Sequence, residues 1–249
     1  MNNSCYIYDD TFVQLLNLIY FLIKNKIKPG NIQNTYYSPT LLDEIIHLEI
    51  SEDPELITNL IQEMGPHTYR TIYYVFLSTE ENKELIIYYL ILNGFKYKDQ
   101  LLYHRNLKCV TKAITISKYV LHEAHKYKGF IRFKELDNHV LYAEIEPLND
   151  ILYFISHHFE KRLKQEYWII KDVKRGILSI YDKHKYILIS ENDFKLSTTK
   201  LSQQEWEMEK LWKLFYQTIG IETRKNDRCR RNFMPKKYWK YMIEMENEI

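Results

Sequence analysis

Glycine, cysteine and alanine are all scarce in this chain. Its 249 residues hold six glycines, at positions 30, 65, 94, 129, 176 and 220, no two of them closer than 29 positions. A P-loop and a dinucleotide fingerprint each need clustered glycines so that backbone N–H groups approach phosphates. Both are excluded. The three cysteines, Cys5, Cys109 and Cys229, stand 104 and 120 residues apart, which rules out a Cys-x-x-Cys zinc knuckle and a sequence-local iron–sulfur triad. An odd, sparse set, with no basic segment, apolar stretch and small-residue cleavage site at the start, predicts a reducing cytoplasm. The longest apolar runs, such as Leu18 to Ile23 and Ile86 to Leu92, are six and seven residues, against the ~20 that span a bilayer. No membrane partner, cofactor or metal is expected.

What is present is a globular composition, 45% apolar with a net charge of +2, long enough to bury a real core. The 22 tyrosines and many lysines accompany abundant Ile and Asn and only three alanines, the bias of an AT-rich genome. Clusters of these residues therefore carry information and their totals do not.

Along the chain, Cys5 to Asp10 reads as a short strand. Thr11 with Gln14 forms a capping box for a buried helix to about Lys26, and Lys28 begins a loop. A strand follows over 43–50. Ser51 opens a helix that stops at Gly65, and further helices are expected over 66–77, 80–93 (capped by Ser78 and Glu81) and 106–128. Gly65, Gly94 and Gly129 occupy C-cap positions. Residues 130–136 and 139–145 read as a hairpin around Asp137-Asn138. Asn149 caps a helix from Asp150 to about Lys164, two or three strands occupy 167–190, and Ser202 with Glu205 caps a helix ending near Gly220. The apolar positions Leu211, Trp212, Leu214, Phe215 and Ile219 of this helix form a core-facing stripe, and a last helix begins at Pro235. The expected fold class is α+β: a single mixed domain over 1–249 with a small, largely antiparallel sheet, a helical lobe over 52–128 and a basic aromatic C-terminal element over 221–249.

That element is the strongest charge signal. Residues 221–241 carry eight cations and two acids, a local balance of +6 that leaves −4 for the remainder. Arg224, Lys225, Arg228, Arg230, Arg231, Lys236, Lys237 and Lys240 suit phosphate contacts, and Phe233, Tyr238, Trp239 and Tyr241 suit stacking on exposed bases. The competing reading is a solvated basic face whose aromatics, Trp239 foremost, anchor the C-terminus to the core.

A second set of polar residues lies mid-chain. His122 and His125 are three apart on a helix and lack an evident third metal ligand. His125 near Glu123 is a candidate proton carrier. In a strand over 130–133, Phe130 and Arg132 share a face, and Arg132 needs an acid, with Glu144 one candidate, or an anionic ligand. His158 and Arg162 share a helical face, and Asp172 is placed to pair with Arg162 or Arg175. Together these read either as a salt-bridged lattice or as an anion pocket of His158, Arg162 and Arg175 beside Asp172.

Several ordered segments carry a family resemblance: Tyr6-Ile-Tyr-Asp9, Glu123-x-His125 followed by Phe130-x-Arg132-Phe133, His158-Phe159-x-x-Arg162, Trp168-x-Ile170-x-Asp172-x-x-Arg175, and the tail from Arg231 to Lys240. In these the sequence resembles a bacterial family of uncharacterised proteins assigned to DNA metabolism or DNA repair. The resemblance implies association with a radical-SAM protein carrying helix-hairpin-helix elements, and in some members fusion to a uracil-DNA-glycosylase-like domain. Where members favour Arg near 122 and Ala near 129, this chain has His122 and Gly129. The expectation is a cytoplasmic DNA-binding protein serving repair or modification with a radical-SAM partner. The alternatives are a hydrolytic or base-processing enzyme using His125, Arg132, His158, Arg162, Asp172 and Arg175, and a protein-interaction module for a repair enzyme.

Overall fold

In a computed structural model, described for residues 4–40, 43–53, 55–198 and 200–248, the chain divides into two compact units, 1–121 and 122–249.

The first unit is built on a parallel sheet. Strand β1 (Ser4–Tyr8) lies between β2 (Asn31–Asn34) and β3 (Glu44–His47) and runs parallel to both. Parallel neighbours need a crossover, and α1 (Phe12–Lys24) supplies the first. Thr11 caps it as its spacing to Gln14 predicts, its hydroxyl accepting from the Gln14 N–H at 3.2 Å. Leu15, Leu16, Leu18, Ile19 and Leu22 are buried. Strand β2 was expected to be loop: it is four residues long and polar at three of them, so pairing with β1, rather than its own pattern, makes it a strand.

Three helices follow: α2 (Leu56–Phe76), α3 (Lys83–Tyr97) and α4 (Lys108–Phe130), the last running across the division between the units. Gly65 interrupts α2 with φ 77° and ψ 155°, and Pro66 opens the second segment. The stop expected at Gly65 is therefore real, and the positive φ needs glycine there. The expected cap of α3 is overturned. Its first flanking residue is Asn82, in a left-handed conformation, and the Ser78 hydroxyl donates to the Val75 carbonyl instead. Gly94 is likewise no cap but an interior helical residue: a Cβ there would lie 2.0 Å from the Sδ of Met64, itself fully buried. Its role is close approach of two helices.

The second unit holds a five-stranded mixed sheet in the order β4-β5-β6-β7-β8. Its strands are β4 (Lys134–Glu135), β5 (Leu141–Ile145), β6 (Trp168–Asp172), β7 (Ile177–Tyr181) and β8 (Tyr186–Ser190). Every pair is antiparallel except β5 with β6, which α5 (Leu152–Arg162) joins as a crossover. Fully buried Trp168 stacks on Tyr181 opposite it, with centroids 5.1 Å apart and planes 19° apart, and the Ser156 and Ser179 hydroxyls meet at 2.7 Å between α5 and β7. Residues 130–133 are not a strand: α4 continues through Phe130, and the hairpin arm shortens to β4. Asn149 does not cap α5, because its N–H and side chain are both committed to Glu123.

Helix α6 (Gln203–Thr218) is capped by Ser202, which accepts from the Glu205 N–H at 3.0 Å. Its stripe is not core-facing: Leu211, Leu214, Phe215 and Ile219 are 51–59% exposed and Trp212 41%. The reason lies in the opposite face. Glu205 accepts from the Glu135 N–H at 3.0 Å, and Glu209 pairs with Lys134 at 3.2 Å. Positions 205 and 209 share one face, so polar contacts turn that face inward and leave Leu211 and Leu214 pointing away from it. After α7 (Asp227–Phe233), the helix expected from Pro235 is a 3-10 turn over Lys236–Tyr241, followed by a second over Ile243–Glu248. Among the described residues no helix is long and apolar enough to cross a membrane.

The Met64 contact makes a prediction. Gly94→Ala gains up to ~1 kcal/mol of helix propensity but overpacks a filled position, which costs about 1–3 kcal/mol. The variant should unfold at lower denaturant, and adding Met64→Ala should cost less than the two single losses together. Additive losses would refute the contact.

Candidate functional site

The polar centre of the second unit forms around residues 147–149, between β5 and α5. Arg175, just after β6, donates to the Pro147 carbonyl at 3.2 Å and the Leu148 carbonyl at 2.6 Å, while pairing with Asp172 at 2.9 Å. The Asp172 side chain is fully buried and also accepts from the Lys174 and Arg175 N–H groups. Burial pushes its carboxyl above the usual range, against the pull of Arg175. Gly176, at φ 62°, closes the turn with its N–H on the Asp172 carbonyl.

From the other side Glu123, on α4 and 4% exposed, accepts from the Leu148 N–H at 3.2 Å, the Asn149 N–H at 2.9 Å, Asn149 Nδ2 at 2.7 Å and Lys237 Nζ at 3.1 Å. Burial alone would raise this carboxyl, but the donors hold it below its ordinary range. Glu123 was legible only as a neighbour of His125. Residues two apart on a helix point away from each other, and His125 is exposed with no recorded contact.

Among the described residues, no hydrogen bond or ion pair joins the remaining sequence candidates to this centre. Arg132 pairs with Glu244, not Glu144, through Nη2 at 2.5 Å and Nε at 3.1 Å; the Tyr142 hydroxyl donates to Glu144. The expectation of an acidic partner for Arg132 stands and its identity is corrected, because the absence of a strand at 130–133 removes the register that favoured Glu144. His158 Nε2 is buried without a hydrogen-bond partner, and burial with the nearby charges of Lys128 and Arg162 lowers its pKa. Arg162 is exposed. Among the described residues no three His, Cys, Asp or Glu side chains gather as metal ligands.

The C-terminal element divides into an anchor and a free face. Tyr238 and Trp239 are 5% and 2% exposed. Trp239 donates to the Met234 carbonyl at 2.9 Å, and Tyr238 packs edge-on to Tyr127 at 5.0 Å. Their burial corrects the stacking role proposed for them and bears out the anchoring of Trp239. Lys237 is held by Glu123, Lys240 by Glu146 at 2.5 Å and Arg230 by Asp227 at 3.1 Å; Lys236 lies over the Trp239 ring. Arg224, Lys225, Arg228 and Arg231 are exposed and form no ion pair among the described residues. Phe233 is 71% exposed.

A concavity of about 300 Å³ lies against Arg132, Glu144 and Lys240, and two wider ones accompany it. One, of about 740 Å³, lies in the second unit between the end of α6 and α7, with Arg224, Lys225 and Arg230 in its wall. The other, of about 650 Å³, lies in the first unit and is lined by Asp9, Gln14, His47 and Glu49 at the C-terminal ends of β1 and β3. Neither was legible in sequence, because the first depends on the outward turn of α6 and the second on the parallel pairing of β1 with β3.

A family model described as "Domain of unknown function (DUF4130)" matches residues 81–244, about two thirds of the chain. The chain belongs to this family. The match runs from before α3 to Glu244 and so includes Glu123, Asp172, Arg175 and the basic element. No curated protein and no solved structure matches the chain.

Glu123 gives the testable consequence. Its folded pKa lies below the unfolded value, so the stability it contributes is present above its ordinary value of 4.5 and is lost as pH falls through the folded value. Glu123→Gln should cost about 1–3 kcal/mol at pH 7, and the gap from wild type should narrow on acidification below 4.5. A gap independent of pH in urea melts would contradict the assignment.

Proposed function

We propose that this member of the family is a DNA-binding protein of a repair or modification system, working in the cytoplasm beside a radical-SAM partner and related to members fused to glycosylase-like domains. The observation that supports this reading is the exposed face of the C-terminal element: Arg224, Lys225, Arg228 and Arg231 are exposed and form no ion pair among the described residues, on a segment whose other cations are engaged. Solvated cations held on an anchored scaffold are what a phosphate backbone requires. The family resemblance supplies the repair context and the partner.

The enzyme alternative draws least from the geometry. Arg132, Asp172 and Arg175 are engaged in ion pairs and backbone hydrogen bonds, which leaves His125, exposed on α4, and His158, whose Nε2 has no hydrogen-bond partner among the described residues, as the groups to carry a proton. The interaction-module alternative draws on the exposed apolar face of α6, since large contiguous apolar surface marks a contact site.

Fluorescence anisotropy of labelled DNA across a salt series tests the leading reading. Wild type should bind with affinity that falls steeply with salt. The variant with Arg224, Lys225, Arg228 and Arg231 all changed to Gln should lose affinity and flatten the log–log slope by about three to four, at ~0.7–0.9 per phosphate contact. Because the anchoring residues are untouched, the variant should keep its circular dichroism spectrum. Absence of wild-type binding at low salt would refute DNA binding.

A further inference from the structure

Helix α6 and the basic element meet at the larger cavity. Tyr216 and Ile219 of α6 and Ile221 give its apolar wall, and Arg224, Lys225 and Arg230 give it charge. Its two acids are both engaged, Glu244 with Arg132 at 2.5 Å and Asp227 with Arg230 at 3.1 Å. Among the described residues Arg224 and Lys225 are in no ion pair, so the wall presents their charge to an anion.

Trp212 lies one helical turn before Tyr216 of the cavity wall. Its ring is 41% exposed and lies 5.7 Å from that of Phe215, at an interplanar angle of 31°, and Phe215 is 51% exposed. Two rings packed against each other on one helix have lost part of their rotamer freedom before any ligand arrives, which lowers the cost of binding. Among the described residues, Leu211, Leu214, Phe215 and Ile219 stay more than half exposed.

We infer that this face binds single-stranded DNA, with an unpaired base stacked on the Trp212–Phe215 pair and the flanking phosphates on Arg224 and Lys225. The inference rests on the DNA-binding reading and deepens it by naming the strand state. A duplex offers phosphates but hides the faces of its bases, so cations alone would serve it. Aromatic faces interleaved with cations suit a strand whose bases are free to stack, and a cavity of about 740 Å³ falls within the range of small-ligand sites, ~300–1,000 Å³. An acidic protein partner would satisfy the cations but has no use for the open ring faces beside them.

Tryptophan emission reads this out. Of the four tryptophans, Trp168 and Trp239 are buried, Trp206 carries the Lys210 ammonium 3.0 Å above its ring, and Trp212 stands one turn from Tyr216 of the cavity wall. An unlabelled 12-mer of thymidylate should quench wild type and Trp206→Phe alike and leave Trp212→Phe nearly unchanged. In anisotropy the single strand should bind about tenfold tighter than a duplex of equal length, and Trp212→Ala or Phe215→Ala should remove most of that preference, at ~1–3 kcal/mol per stacked base. Two separate ring deletions guard against one variant failing to fold. Equal binding of duplex and single strand, or binding without Trp212 quenching, would overturn this inference while leaving DNA binding in place. Tighter binding of the matching RNA strand, or equal competition by poly-glutamate, would overturn it in favour of another partner. Loss of all nucleic-acid binding at low salt would remove both readings.

Discussion

The second unit depends on a single turn clamped from two sides. Residues 147–149 have their carbonyls taken by Arg175 and their N–H groups by Glu123. Buried backbone groups left unpaired are costly, and this segment sits where β5 hands over to α5, so regular pairing is not available to it. The side chains supply the missing partners. Glu123 comes from α4, Arg175 and Asp172 from the end of β6, and Lys237 from the C-terminal element. One turn therefore fixes a helix, the sheet and the tail relative to one another within this unit.

This clamp also explains why the C-terminal element serves two purposes without conflict. Its anchoring residues, Lys237, Tyr238 and Trp239, are spent inward, and its free cations lie in the part before them. Charge exposed to solvent costs little when the backbone that carries it is fixed by other residues. The outward face of α6 follows from the same division of labour, since Glu205 and Glu209 make the polar contacts that hold the helix.

Local chemistry made much of the fold legible. Thr11 and Ser202 cap their helices as spacing indicates, Gly65 breaks α2, and the strand-rich stretch 167–190 resolves into three strands. What sequence left out is tertiary. Strand β2 exists through its neighbour, Gly94 through Met64, and the fate of the α6 stripe through polar contacts from distant segments. In the candidate site, the pairing of Asp172 with Arg175 followed from a short separation. Glu244, more than a hundred residues from Arg132, had no local signal, and Glu123 was masked by a histidine with a more familiar chemistry. Burial of Trp239 was legible because a tryptophan beside Met242 on a short element has few better places to go.

Only nine of the 35 cations are arginines, in a chain whose composition presses toward lysine. Arg175 reaches a carboxylate and two carbonyls from one planar group, and Arg132 grips Glu244 through two of its nitrogens. An ammonium on a flexible stem cannot occupy such a fork. At these two positions a lysine would leave acceptors stranded: one or more of the Pro147 and Leu148 carbonyls and the Asp172 carboxylate at 175, and one side of the Glu244 carboxylate at 132.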